Sequence, residues 1–87
     1  MADIVIYLTP ICPYCTRAKE LLKRKGYADW KEIDVSRSAE LRDEMMKKSG
    51  GKRSVPQIFI NGTHVGGSDD LYALEAAGKL DSLLKAS

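Results

Sequence analysis

The dipeptide Asn61-Gly62 stands between two β-type runs, Gln57-Ile58-Phe59-Ile60 and Thr63-His64-Val65, and restricts the fold more than any other short segment. A two-residue turn of this composition supplies the positive φ angles of a tight hairpin, so the two runs pair antiparallel. The start of the chain adds a complementary restriction. Residues 3–8 form a β-branched and aromatic run that reads as a strand buried on both faces. A second strand is expected over residues 30–35, with Trp30, Glu32 and Asp34 on one side and Lys31, Ile33 and Val35 on the other. Between these strands lies one helical segment, residues 13–25, in which Ala18, Leu21 and Leu22 recur at i, i+3 and i+4 before Gly26 stops it. One helix between two strands implies a right-handed crossover and parallel pairing.

The remaining segments extend this order. Ser38 can cap a helix over residues 39–49, with Leu41, Met45 and Met46 as its apolar face and Gly50-Gly51 at its end. After Gly66-Gly67, Ser68 is the expected cap of a third helix, with Asp69 and Asp70 in the first turn, where the helix dipole favours anions. That helix runs to Gly78, and Leu80, Leu83 and Leu84 mark a short last one. The order is β-α-β-α-β-β-α-α, an α/β chain with a four-stranded mixed sheet flanked by helices. Its 87 residues suit one domain over 1–87. Lys and Arg number 14 against 12 Asp and Glu, a net +2 that points away from nucleic acid and membrane surfaces. The longest apolar run, Ile4–Leu8, is far short of the roughly 20 residues of a transmembrane helix. The first residues lack a charged n-region and a long apolar stretch, so a cytoplasmic location is expected.

Two cysteines, Cys12 and Cys15, sit where the first strand gives way to the first helix. Chain-entropy arguments give a disulfide closing so short a loop only about 2 kcal/mol. A reducing cytosol would open it. Such a bond is better suited to cycling than to stapling. With Cys12 at the N-cap and Pro13 at the first helical position, the Cys12 sulfur faces the unpaired N–H groups of the first turn and the positive end of the dipole. Cys15, one turn in, is more shielded. The asymmetry assigns attack to Cys12 and resolution to Cys15. A sulfur stabilised as thiolate gains in ionised fraction about what it loses in nucleophilicity, so the larger benefit is that it leaves well. Two alternatives stand beside this reading: a pair of inert buried cysteines, and half of a zinc site. Zinc needs four ligands, and His64 is the only other soft candidate. His64 itself reads as a strand residue facing solvent.

Four segments, Cys12-Pro13-Tyr14-Cys15, Ser54-Val55-Pro56, Gly66-Gly67 and Ser68-Asp69-Asp70, together resemble the glutaredoxins of the dithiol, bacterial type. The resemblance runs from Ile4 to Leu84 and implies a thioredoxin-like fold. It implies glutathione-dependent thiol-disulfide exchange, reducing protein disulfides through both cysteines and protein-glutathione mixed disulfides through Cys12 alone. By position, Cys12 takes glutathione as a mixed disulfide and Cys15 resolves it. Val55, before a proline that is typically cis in the family, here Pro56, offers its backbone to the cysteine residue of glutathione, with Ser54 beside it. Ser68 and Asp69 hold the γ-glutamyl end, Gly66 and Gly67 allow close approach, and Tyr14 walls the site. Glutathione is then a co-substrate, with no tightly bound cofactor and no metal. The partners are disulfide-bearing or glutathionylated proteins, met by a monomer.

One position departs from the family. Many members carry a lysine three residues before the nucleophile, where this chain has Thr9. Lys52 or Arg53 is the candidate replacement for its charge near the glycine carboxylate of glutathione. Two other functions compete with the leading one: a redoxin recharged by thioredoxin reductase, and an iron–sulfur protein ligated through Cys12 and glutathione from two chains. The Ser68-Asp69-Asp70 segment argues against the first and the rigid Pro13 against the second.

Overall fold

The computed structural model describes residues 2–85; Met1, Ala86 and Ser87, the ends of the expected 1–87 domain, lie outside the described residues. The elements are β1 (Ile4–Leu8), α1 (Pro13–Arg24), β2 (Lys31–Asp34), α2 (Ala39–Lys48), β3 (Gln57–Ile60), β4 (Thr63–Gly66), α3 (Ser68–Ala76) and α4 (Leu80–Lys85). The order matches the sequence pattern, with shifts of a residue or two at the ends of elements. The sheet order is β2-β1-β3-β4. β1 pairs parallel with β2 and antiparallel with β3, and β3 pairs antiparallel with β4. This is a thioredoxin-like α/β arrangement. The hairpin turn has φ of 51° at Asn61 and 82° at Gly62, the two positive values expected of an Asn-Gly turn.

β1 is central and divides the core. Ile4, Ile6 and Leu8 point to one face, where they meet Ile58 and Ile60 of β3, Ala18, Leu21 and Leu22 of α1, Leu71 of α3, and Leu80 and Leu84 of α4. Tyr7 points to the other face and packs with Val35 and with Met45 of α2. The period of two along a strand therefore sends α1, α3 and α4 to one side and α2 to the other. Two ties lock the three-helix side. Lys25, the C-cap of α1, reaches Glu75 and Asp81, each at 2.9 Å. The Tyr72 hydroxyl of α3 donates to the Arg17 carbonyl at 3.0 Å. On the other face the Tyr7 hydroxyl donates to Glu44 at 2.7 Å.

Ser38 caps α2 as expected, its hydroxyl accepting the Leu41 N–H at 3.1 Å. The β3–β4 ladder is less regular than the alternating pattern implies. His64 stands opposite Phe59 and Gly66 opposite Ile58, so Val65 is an extra residue in β4. Such a bulge bends the strand and re-aims its side chains.

Ile6 is fully buried at the centre of the sheet. Ile6→Ala is expected to cost about 2–5 kcal/mol of unfolding free energy. Lys23→Ala on the exposed face of α1 is expected to cost under about 0.5 kcal/mol. Urea denaturation of the two variants beside the parent checks this.

Candidate active site

Three connections converge at one end of the sheet. Tyr7 of β1 stands opposite Gln57 of β3, so the chain leaving β1 lies beside the chain entering β3. Gly66, at the end of β4, stands opposite Ile58 and brings the start of α3 to the same end.

Cys12 is the N-cap of α1, with extended backbone at φ −148° and ψ 102°, and Pro13 is the first helical residue. The Cys12 sulfur accepts the Cys15 N–H at 3.2 Å. It also lies 3.8 Å from the Val55 carbonyl oxygen, to which its thiol hydrogen is donated. One sulfur thus touches both α1 and the loop before β3, where the Val55–Pro56 bond is cis. Cys12 is half-buried and Cys15 is 2% exposed; both are free thiols. Burial deprives a Cys15 thiolate of water and pushes its pKa up to about 12. The hydrogen bond and charge of Cys12 push the same way, and a backbone hydrogen bond from Thr9 opposes them.

A cavity of about 430 Å³ opens beside this junction. Tyr14 of α1 forms one wall, and Lys52, Ser54, Val55 and Pro56 come from the α2–β3 loop. Gly67, Ser68 and Asp69 close it at the start of α3. The sequence pattern expects Ser68 to be the cap of α3, but the structure gives that place to Gly67. The Asp70 carboxylate reaches back to accept the Gly67 N–H at 2.9 Å, which fixes the helix start one residue earlier. Ser68 becomes the first helical residue. It is 4% exposed, and its hydroxyl oxygen has no hydrogen-bond partner among the described residues. A buried polar atom left so is costly unless a ligand completes it.

The two glycines before α3 differ. Gly66 has φ +116°, and a Cβ there would collide with the Asp70 carboxylate. At Gly67 a Cβ would come no closer to the rest of the chain than 3.5 Å, from the Pro56 carbonyl oxygen. The fold requires glycine at Gly66 and tolerates a side chain at Gly67.

The glutaredoxin family model matches residues 4–65. The chain belongs to the glutaredoxin family. It is 58% identical over 86 residues to a glutaredoxin of Pseudomonas aeruginosa, an alignment that covers 99% of this chain and 100% of that one. The solution structure of a glutaredoxin from Brucella melitensis is 61% identical, with a TM-score of 0.84, covering 98% of this chain and 90% of that one. A buckwheat glutaredoxin in complex with glutathione is 29% identical, again with a TM-score of 0.84, covering 95% and 76% respectively. Like its family, this glutaredoxin is a thiol-disulfide oxidoreductase with a dithiol Cys-x-x-Cys motif.

Of the residues that the sequence singles out, Tyr14, Ser54, Val55, Pro56, Gly67, Ser68 and Asp69 line one cavity, with Cys12 next to it at Val55. Lys52 lines it too. Arg53 is not among its lining residues, and the Arg53 carbonyl accepts from Arg42 at 3.4 Å. Among the described residues no group of three or more His, Cys, Asp or Glu is placed to hold a metal ion, and no helix is long and apolar enough to cross a membrane.

His64 corrects an expectation. It does not simply face solvent: it is half-buried, its Nε2 lies 2.8 Å from Gln57 Oε1, and its ring centroid is 4.9 Å from that of Phe59. The hairpin register, which pairs it with Phe59 before the ladder is interrupted at Val65, sets it there. Gln57, which the strand pattern treats as an ordinary position, is 2% exposed and lines the cavity with His64. An amide side chain opening an otherwise apolar strand is the signal that could have marked it.

The raised Cys15 value has a consequence for stability. The folded state holds this proton more tightly than the unfolded chain, whose ordinary thiol value is 9.0. The resulting stabilisation is full below about pH 9 and is lost as pH rises toward about 12. Cys15→Ala is expected to remove that part of the alkaline fall in stability, read from denaturation midpoints of reduced protein between pH 8 and 11.

Proposed function

We propose that Cys12 is the attacking thiol and Cys15 the resolving thiol of a glutathione-disulfide oxidoreductase whose cavity beside Cys12 receives the tripeptide. The observation that carries this is the position of the Cys12 sulfur, at a helix N-cap and 3.8 Å from the Val55 carbonyl at the cavity wall. With a glutathionylated protein, the Cys12 thiolate attacks the glutathione sulfur and the protein thiolate leaves. A second glutathione thiolate then attacks the mixed disulfide, releasing oxidised glutathione and restoring Cys12. With a protein disulfide, the Cys12 thiolate attacks one protein sulfur and forms a mixed disulfide as the protein S–S bond breaks and its other sulfur leaves as a thiolate. Cys15 gives up its proton and attacks the Cys12 sulfur, forming the Cys12–Cys15 disulfide and releasing the protein sulfur that had been bound to Cys12. Two glutathiones reduce the resulting disulfide.

The thiols are matched to this sequence. While Cys12 carries charge, it adds to the burial that keeps Cys15 protonated. Once Cys12 is part of a neutral mixed disulfide that contribution ends, and Cys15 loses its proton more readily.

For glutathione, the Val55 backbone next to a cis proline suits pairing with an extended peptide. The start of α3 suits the γ-glutamyl carboxylate, through first-turn N–H groups and the unpartnered Ser68 hydroxyl. Asp69, exposed at the rim, would pair with the γ-glutamyl ammonium. Tyr14 would pack against the tripeptide, and Lys52 would stand in for the lysine that Thr9 replaces. The complex of the buckwheat relative with glutathione supports this assignment. The same reading has the protein act as a monomer in the cytoplasm, on glutathionylated or disulfide-bearing proteins and not on nucleic acid, in keeping with a net charge of +2.

Two outcomes test the proposal. In a glutathione-coupled assay, Cys15→Ser should retain deglutathionylation and lose reduction of protein disulfides, whereas Cys12→Ser should lose both; the reverse pattern would refute the roles. Lys52→Ala should raise KM for glutathione about two- to fivefold, the range of an exposed ion pair, with Arg53→Ala near the parent value. Equal KM values for the two variants would remove Lys52 from the site.

A further inference from the structure

Gln57 makes more hydrogen bonds than its place at the start of an apolar strand explains. Its Nε2 donates to the Ser54 carbonyl at 3.0 Å and lies 3.2 Å from the Ser54 hydroxyl. Its Oε1 faces His64 Nε2 at 2.8 Å. The Ser54 carbonyl can only accept, so the amide nitrogen must face it and the amide oxygen must face His64. His64 Nε2 therefore carries the hydrogen. His64 is held in turn against the Phe59 ring by its place opposite Phe59 in the hairpin ladder. A chain of directed bonds runs from β4, through Gln57, to the residue before Val55. Val55 itself touches the Cys12 sulfur.

Stability alone gives little reason for this arrangement. A buried amide that satisfies its bonds recovers little more than its desolvation cost. Ser54 is exposed, and water could serve its polar atoms if Gln57 were apolar. What the amide contributes is direction: it holds the backbone of Ser54, and so the approach to Val55, in one place.

We propose that Gln57 is a positioning residue for the glutathione-pairing backbone at Val55, and that His64 keeps its amide turned the working way. The inference rests on the proposed glutathione cavity. Neither side chain takes part in the sulfur chemistry; both act through Ser54 and Val55. Removing the Gln57 amide frees the segment, and binding must then order it, so the loss falls on KM while kcat is preserved.

The probe is the mixed disulfide of glutathione and 2-mercaptoethanol, assayed with the full chain. Gln57→Met keeps the volume and removes the bonds; it is expected to raise KM about three- to tenfold with kcat within twofold and little change in thermal midpoint. His64→Gln retains a donor for Gln57 Oε1 and His64→Leu does not, so the first should stay near the parent KM and the second should follow Gln57→Met. The His64 pair also decides the matter if Gln57→Met fails to fold. A KM unchanged in Gln57→Met, equal KM values for the two His64 variants, or a KM rise that merely tracks a fall in kcat and thermal midpoint would overturn the inference. Asp69→Ala separates it from its premise. A raised KM there with no change in Gln57→Met sinks only the positioning role, whereas no change in any of these variants sinks the glutathione cavity as well.

Discussion

A helix begins with N–H groups that nothing within it can satisfy, and in this protein a cysteine sulfur meets one of them. The bond from the Cys15 N–H to the Cys12 sulfur is both the cap of α1 and the means by which the proposed nucleophile is held. Because α1 follows directly on the central strand, the sulfur inherits the rigidity of β1. The antiparallel register of β1 and β3 then decides what lies beside it, namely the loop that ends in Val55 and Pro56. Without that cap and that register, the cavity residues would still exist, but no thiol would be aimed at them.

The two cysteines are chemically identical and separated by less than one helical turn, yet their surroundings make them opposites. Helix geometry places Cys15 in line with Ala18 and Leu22, and these three are buried together against the sheet. Cys15 is thus a core residue as well as a thiol, and its resistance to ionisation follows from that packing. Cys12 stands at the helix mouth, half-buried, with solvent on one side.

Much of this was legible in the residues. Asn61-Gly62 marks the hairpin, Gly26 and Gly78 mark helix ends, and Cys12-Pro13 marks a helix start with a thiol at its cap, because each depends on local conformational preferences that travel with the residue. What was not legible depends on contacts between distant segments. Ser68 reads as a cap until the Asp70 carboxylate is seen to have taken the Gly67 N–H. His64 reads as a solvent-facing residue because alternation does not say which face of an edge strand is covered, whereas the hairpin register sets it opposite Phe59 and within reach of Gln57. The choice between Lys52 and Arg53 turns on the path of the α2–β3 loop, which no local pattern encodes. Gln57 acquires its meaning only once that loop returns to it.

The β4 bulge has a consequence at the margin of the sheet. A strand edge with open N–H and carbonyl groups invites another chain to pair with it, and β4 forms one such edge while β2 forms the other. β4 is four residues long and kinked at Val65; β2 is equally short and carries exposed Lys31 and Glu32. Both margins are poor templates for indiscriminate strand addition. A protein proposed to meet other proteins through their disulfides is thereby guarded against becoming the seed of an intermolecular sheet.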